Sequence, residues 1–168
     1  YPQLMAAFAR LKALPQKNRL IIGRPLIGPL VGDWVIPLVR EVAAGQKHPA
    51  FYVIAAVSTQ TFLQQSLAHT ALPYEGIAAV LARNDGHVLA RWPAPKSNEF
   101  FSTPQLGEFV QSLMNHPAAN SAHYDGWVAA DGATRMGSWQ RLQTHPDLAV
   151  AVSLPSRVLF RLKRLEAK

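Results

Sequence analysis

The sequence contains no cysteine, which excludes disulfides and thiolate metal sites and says nothing about compartment. Acidic residues are scarce, 10 against 17 Lys and Arg. They are scattered singly, so a two-carboxylate hydrolytic mechanism has no candidates. No apolar run approaches the ~18 residues that a membrane-spanning helix needs, and no signal-peptide pattern is present. The six histidines show no HxxxH pair for a metal. No G-x-S-x-G elbow positions a nucleophile, and the GPLVGD stretch lacks the GK[ST] ending of a phosphate loop. Catalysis, a cofactor and a metal site are therefore not expected within this chain. The first residue is Tyr1 rather than Met, which reads as a piece of something longer.

What is present is enough for a folded core. The 168 residues are 49% hydrophobic and 16% charged, outside the range of disordered chains. The formal charge of +7 would suit nucleic acid or an anionic membrane. The basic residues are spread along most of the chain, however, and read first as a solvated surface.

The chain is organised around Ala79–Pro93, AVLARNDGHVLARWP. Two apolar runs, Ile77–Leu81 and Val88–Ala90, flank Asn84-Asp85-Gly86. Asp-Gly between apolar runs predicts a hairpin, because the tight turn needs positive φ and Gly supplies it without strain. The pattern recurs at Tyr124–Ala130, Asp131-Gly132 and Ala133–Gln143, and Leu148–Ser153 adds a last apolar run. Between the two hairpins, Leu106, Phe109, Val110 and Leu113 fall at helical spacing within Pro104–Asn115. Strand, strand, helix, strand, strand, strand predicts an α+β unit with an antiparallel five-stranded sheet.

The first seventy residues read as a helix over Pro2–Leu14, strands at Arg19–Ile22 and Asp33–Val42, and a fully apolar strand at Ala50–Val57. Leu26–Leu30 reads as extended with a break at Gly28-Pro29. Pro37 predicts an edge or a bulge for its strand. Ser58 or Thr59 is placed to cap a helix reaching about His69. DWVIPLVREV…AFYVIAAVSTQTF and TRMGSWQRLQ…LAVAVSLPSRV form a weak internal repeat, the first copy lacking its opening two strands. The expected domains are a partial unit at 1–72, a complete unit at 73–154 and a C-terminal helix at 155–168.

The order IIGRPLIG, GDWVIPLVREV, FYVIAAVSTQTF, GIAAVLARNDGHVLARWP and DGATRMGSWQRLQTHPDLAVAVSLP resembles the extracytoplasmic double-PAS-like sensor region (dCache, or PDC). It is most similar to the subset on bacterial membrane-bound GGDEF/EAL signalling proteins, the diguanylate cyclases. The matching parts are Gly23-Arg24-Pro25, Gly32–Arg40, Gly76–Pro93 and Asp131–Val152. The resemblance implies a PAS-like sheet with flanking helices, a small-molecule ligand, a periplasmic location, a homodimeric parent and membrane spans on either side. In the family's terms the first unit is the membrane-distal one. This sequence departs from the pattern there, lacking the first two strands and carrying a single Arg40-Glu41 in place of paired arginines.

Several side chains could hold a ligand. Arg91 beside Trp92 at a strand end could bind a carboxylate or phosphate while the ring stacks; the alternative is a surface arginine over an aromatic edge. Period-two spacing puts Arg135, Gly137, Trp139 and Arg141 on one strand face, with Met136, Ser138, Gln140 and Leu142 opposite. The former set could line a pocket or form an exposed sheet face. Tyr124, Asp125 and Trp127 precede the second Asp-Gly. There Asp125 could receive a ligand amine or serve as a turn residue. The densest basic cluster is Arg157, Arg161, Lys163, Arg164 and Lys168, beside the apolar stripe Val158, Leu159, Leu162 and Leu165. It fits a helix leading to a membrane or a parallel helix pair better than a nucleic-acid surface. The rival readings are a structural or dimerising module without ligand and, further off, a basic nucleic-acid binder.

Overall fold

The computed structural model describes residues 20–28, 30–46, 48–59, 61, 65, 76–105, 107–128 and 132–158. The expected helix over Pro2–Leu14 lies outside them, as do most of the expected helix after Ser58 and the C-terminal helix beyond Val158. The chain divides into two compact units, Tyr1–Thr59 and Gln60–Lys168.

In the first unit β3 (Trp34–Val42) is the central strand. The short strands β1 (Leu20–Ile22) and β2 (Leu26–Ile27) pair with one side of it and β4 (Phe51–Ser58) with the other, all antiparallel. Val35, Ile36 and Val39 are buried. The edge expected from Pro37 is not found: Pro37 sits in the middle of the central strand, opposite Ala56 of β4. Its missing N–H falls on the other side. There Gly23 N donates to Pro37 O at 2.8 Å, and proline cannot make the return bond. β1 therefore stops, and pairing resumes only at Val35 with β2. Thr59, at the end of β4, donates its hydroxyl to Trp34 O at 3.4 Å.

The second unit is the predicted five-stranded antiparallel sheet, in the order β6-β5-β9-β8-β7. Its strands are β5 (Ala78–Arg83), β6 (Val88–Trp92), β7 (Ser121–Val128), β8 (Ala133–Arg141) and β9 (Leu148–Pro155). The β5–β6 turn is the one its sequence dictates. Gly86 N donates to Arg83 O at 3.0 Å, Arg83 N donates to His87 O at 2.8 Å, and Gly86 takes φ 88°. Asp85 secures the turn through Arg83 at 3.2 Å and the His87 ring at 3.1 Å. A short 3-10 helix, Asn98–Phe101, follows β6 and buries Phe101.

Helix α1 spans Glu108–Asn115 rather than starting near Pro104. The reason lies in Gln105. Its backbone N–H donates to Gly86 O at 2.9 Å, and its side-chain amide donates to Phe100 O and Thr103 O. These bonds hold the segment as a connection. α1 buries Phe109, Val110 and Leu113, while Glu108 in its first turn complements the helix dipole. β7 begins at Ser121, earlier than its apolar residues suggest, because Ser121–His123 pair with Ser138–Gln140 despite their polarity.

Candidate functional site

Residues paired directly across strands share a face, so the register of β5–β9 sorts the side chains into two sets. One face carries the rows Tyr124–Gly137–Ser153–Ala78 and Ala122–Trp139–Ala151–Val80–Arg91. It packs against α1. The Trp139 indole donates from Nε1 to Ser112 Oγ at 2.9 Å, and the Phe109 and Tyr124 rings lie 5.6 Å apart. The other face carries His123–Ser138–Val152–Ala79–Trp92 and Asp125–Met136–Leu154. Val150 and Val152 of β9 are exposed on it.

The arginines expected at a ligand site are drawn into the fold. Arg141 is buried across from the end of α1. Its Nε donates to Ala119 O at 2.8 Å, and one terminal nitrogen donates to Asn84 Oδ1 and, at 3.4 Å, to Pro146 O. The other terminal nitrogen reaches Leu113 O at 3.2 Å and His116 O at 3.1 Å. All five guanidinium N–H donors thus have acceptors. The same guanidinium lies 5.3 Å from the centre of the Trp139 ring. Arg135 is buried and donates to Gly76 O at 2.8 Å. Arg91 is buried as well, donating to Pro93 O. Trp92 is half-buried on the other face, next to a cis bond to Pro93. Trp127 pairs through its backbone with Thr134.

A cavity of about 770 Å3 opens on the second face, over β7, β8 and β9. Ile77, Met136, Val152 and Leu154 make its floor apolar. The rim is polar: Asp125 is exposed there, and His123 Nδ1 lies 2.7 Å from Ser138 Oγ. Of the expected site residues, the cavity brings together Tyr124 and Asp125. Tyr124 reaches it from the helix side across Gly137, which also lines the cavity; a Cβ at 137 would stand 2.8 Å from the tyrosine ring. His123, Met136, Ser138, Val152 and Leu154 are cavity residues that sequence reasoning did not single out as site residues. The alternation of β8 had separated Met136 and Ser138 from the arginine face, which is the signal that could have marked them. Among the described residues no cluster of three His, Cys, Asp or Glu could hold a metal.

No family model matches the sequence, and no curated protein matches it. Solved structures do share its fold. The extracellular domain of a candidate histidine kinase, rpHK1S-Z16, superimposes with a TM-score of 0.64 at 19% identity, over 90% of this chain and 59% of that one. The periplasmic sensory domain of the Campylobacter jejuni chemoreceptor Tlp1 gives 0.60 at 19% identity, over 89% of this chain and 54% of that one. The ligand-binding domain of the Pseudomonas aeruginosa amino acid chemoreceptor PctB, solved with L-Arg, gives 0.56 at 18% identity, over 97% and 58%. This chain therefore spans less than two thirds of the length of the structures it matches. The fold is that of extracytoplasmic sensor domains, as the PAS-like expectation held, and these neighbours are sensor or ligand-binding domains rather than catalytic ones.

Proposed function

We propose that this chain is an extracytoplasmic ligand-sensing region of a bacterial transmembrane signalling protein, and that the cavity over β7–β9 takes a small amine-bearing molecule of the amino-acid class. The observation that carries the reading is an apolar floor with one carboxylate, Asp125, and one hydroxyl–imidazole pair, Ser138 and His123, at its rim. The floor suits a hydrocarbon portion, and the carboxylate suits an ammonium group. Sensor domains of this fold include one solved with L-Arg, which supports the ligand class. The signal leaves through β9. That strand is paired on both sides and runs through Pro155 directly into helical residues at Ser156. The motif resemblance supports a cytoplasmic diguanylate cyclase as the output, brought together as a pair by parallel C-terminal helices. The direction and size of that response are set by the ligand's differential affinity for the two helix arrangements.

The test is a thermal-shift screen of the chain with amino acids, polyamines and simple carboxylates. An amine-bearing ligand at 100 times its dissociation constant adds about 2.7 kcal/mol of stability and raises the melting temperature visibly. Asp125→Asn, at an exposed position, leaves the melting temperature of the free protein unchanged and abolishes the shift. A shift that survives Asp125→Asn, or one confined to carboxylates without an amine, overturns the assignment of the site.

A further inference from the structure

The rim of the cavity over β7–β9 carries two titratable side chains, both on the outermost strand of the sheet. His123 and Asp125 stand two residues apart on β7, on the face that bears the cavity, and both are exposed. Two strand steps separate their backbones by about 7 Å. Ser138 lies opposite His123 on β8, and Met136 opposite Asp125. Among the described residues the strands beside β7 add no charge to this pair. On the same face β8 brings Thr134, Met136, Ser138 and Gln140, and β9 brings Val152 and Leu154. Glu108 of α1 lies on the opposite face, against Gly126.

Ser138 holds the histidine in either charge state. A hydroxyl both donates and accepts, so the 2.7 Å bond to His123 Nδ1 persists whether that nitrogen is bare or protonated. In both states Nε2 then carries an N–H and is the ring nitrogen left to a ligand. We propose that His123 is the specificity-determining residue of this cavity: as an imidazolium it takes the carboxylate of a zwitterionic amino acid whose ammonium sits on Asp125, so that acid pH turns the site from simple amines towards amino acids. The inference rests on the amine-binding reading of the cavity and adds the ligand's second charge. An α-amino acid bears both charges on one carbon, and with a hydrogen bond at each end it bridges two side chains rooted about 7 Å apart. Its hydrocarbon then lies towards β9, over Met136, Val152 and Leu154. The sign of the pH effect follows from charge. Imidazole is the side chain that gains its proton between about pH 8 and pH 5. The cation attracts a carboxylate and repels an ammonium, whereas the neutral ring offers the carboxylate an uncharged donor. Binding of an amino acid therefore takes up a proton, and binding of a simple amine releases one.

The probes are L-leucine and isoamylamine, which is leucine without its carboxylate. Titration calorimetry of the full chain compares them at about pH 8 and about pH 5.5, an interval that spans the imidazole range. On going to the lower pH the affinity for leucine is expected to rise about tenfold, the scale of a hydrogen bond to a charged group, while that for isoamylamine falls. Near neutral pH, repeating the leucine titration in buffers of different ionisation heat is expected to show proton uptake. His123→Gln keeps a group that can bond Ser138 but cannot change charge, and it removes both the rise and the uptake. The proton count on the unaltered chain stands independently of that variant. A preference between the two probes that is the same at both pH values, leucine binding without proton uptake, or a rise that survives His123→Gln overturns the inference and leaves the amine site standing. Failure of both probes to bind at either pH, or binding indifferent to Asp125→Asn, overturns the site itself and this inference with it.

Discussion

Five carbonyl or amide oxygens converge on Arg141, from the end of α1, the segment before β7 and the two turns beside it. A guanidinium is the side chain suited to this task, because its donors fan out in a plane and stay charged. Arg141→Ala strips the charged donor from Leu113 O, which is buried, and from Ala119 O, which is partly so, at roughly 1–3 kcal/mol each. The expected loss, read by urea denaturation, is about 3 kcal/mol or more, and Arg141→Lys with three donors recovers only a part. Gly137 is constrained by shape instead. A Cβ there would stand 2.5 Å from Val152 O, which is backbone and cannot swing aside. Gly137→Ala is expected to cost about 1–3 kcal/mol by overpacking. It should also displace the Tyr124 ring, visible as a change in near-ultraviolet circular dichroism. Sequence alternation correctly grouped Arg135, Gly137, Trp139 and Arg141 on one face. It did not show that this face is the buried one, because three of the four are polar or lack a side chain. Their burial depends on carbonyls supplied by distant loops, which no local pattern records.

At the level of elements, the Asn84-Asp85-Gly86 turn was legible because its chemistry is local. The helix start and the role of Pro37 were not, since both depend on partners far along the chain. Pro37 shows that proline is admissible in a central strand where the neighbour on its blank side ends. The expected consequence of Pro37→Ala is a new bond from residue 37 N to Gly23 O, detected as slowed exchange of that amide, with a change in stability of about 1 kcal/mol or less. Val39→Pro places the blank opposite Ile21, inside β1. It is expected to abolish exchange protection across β1 and to destabilise the first unit more than Pro37→Ala does.

The molecule as a whole holds two units, each with an antiparallel sheet of its own. The cavity was less legible, since its floor comes from Ile77, Met136, Val152 and Leu154, brought together only by register. The strand order β6-β5-β9-β8-β7 also sets a timetable. Ala78 pairs with Ser153, so β5 must wait for the last strand before the sheet can close. A hairpin alone forms in about 1–10 μs, whereas assembly dominated by such distant pairing takes on the order of milliseconds to seconds. During synthesis the β5–β6 ribbon therefore stays without its third neighbour until residues 148–155 arrive. Trp139 is 1% exposed and makes a natural clock for closure. In a variant with Trp34, Trp92 and Trp127 changed to phenylalanine, its fluorescence on stopped-flow refolding is expected to report burial in the millisecond-to-second range. Burial complete within the dead time would mean that the sheet closes without waiting for β9.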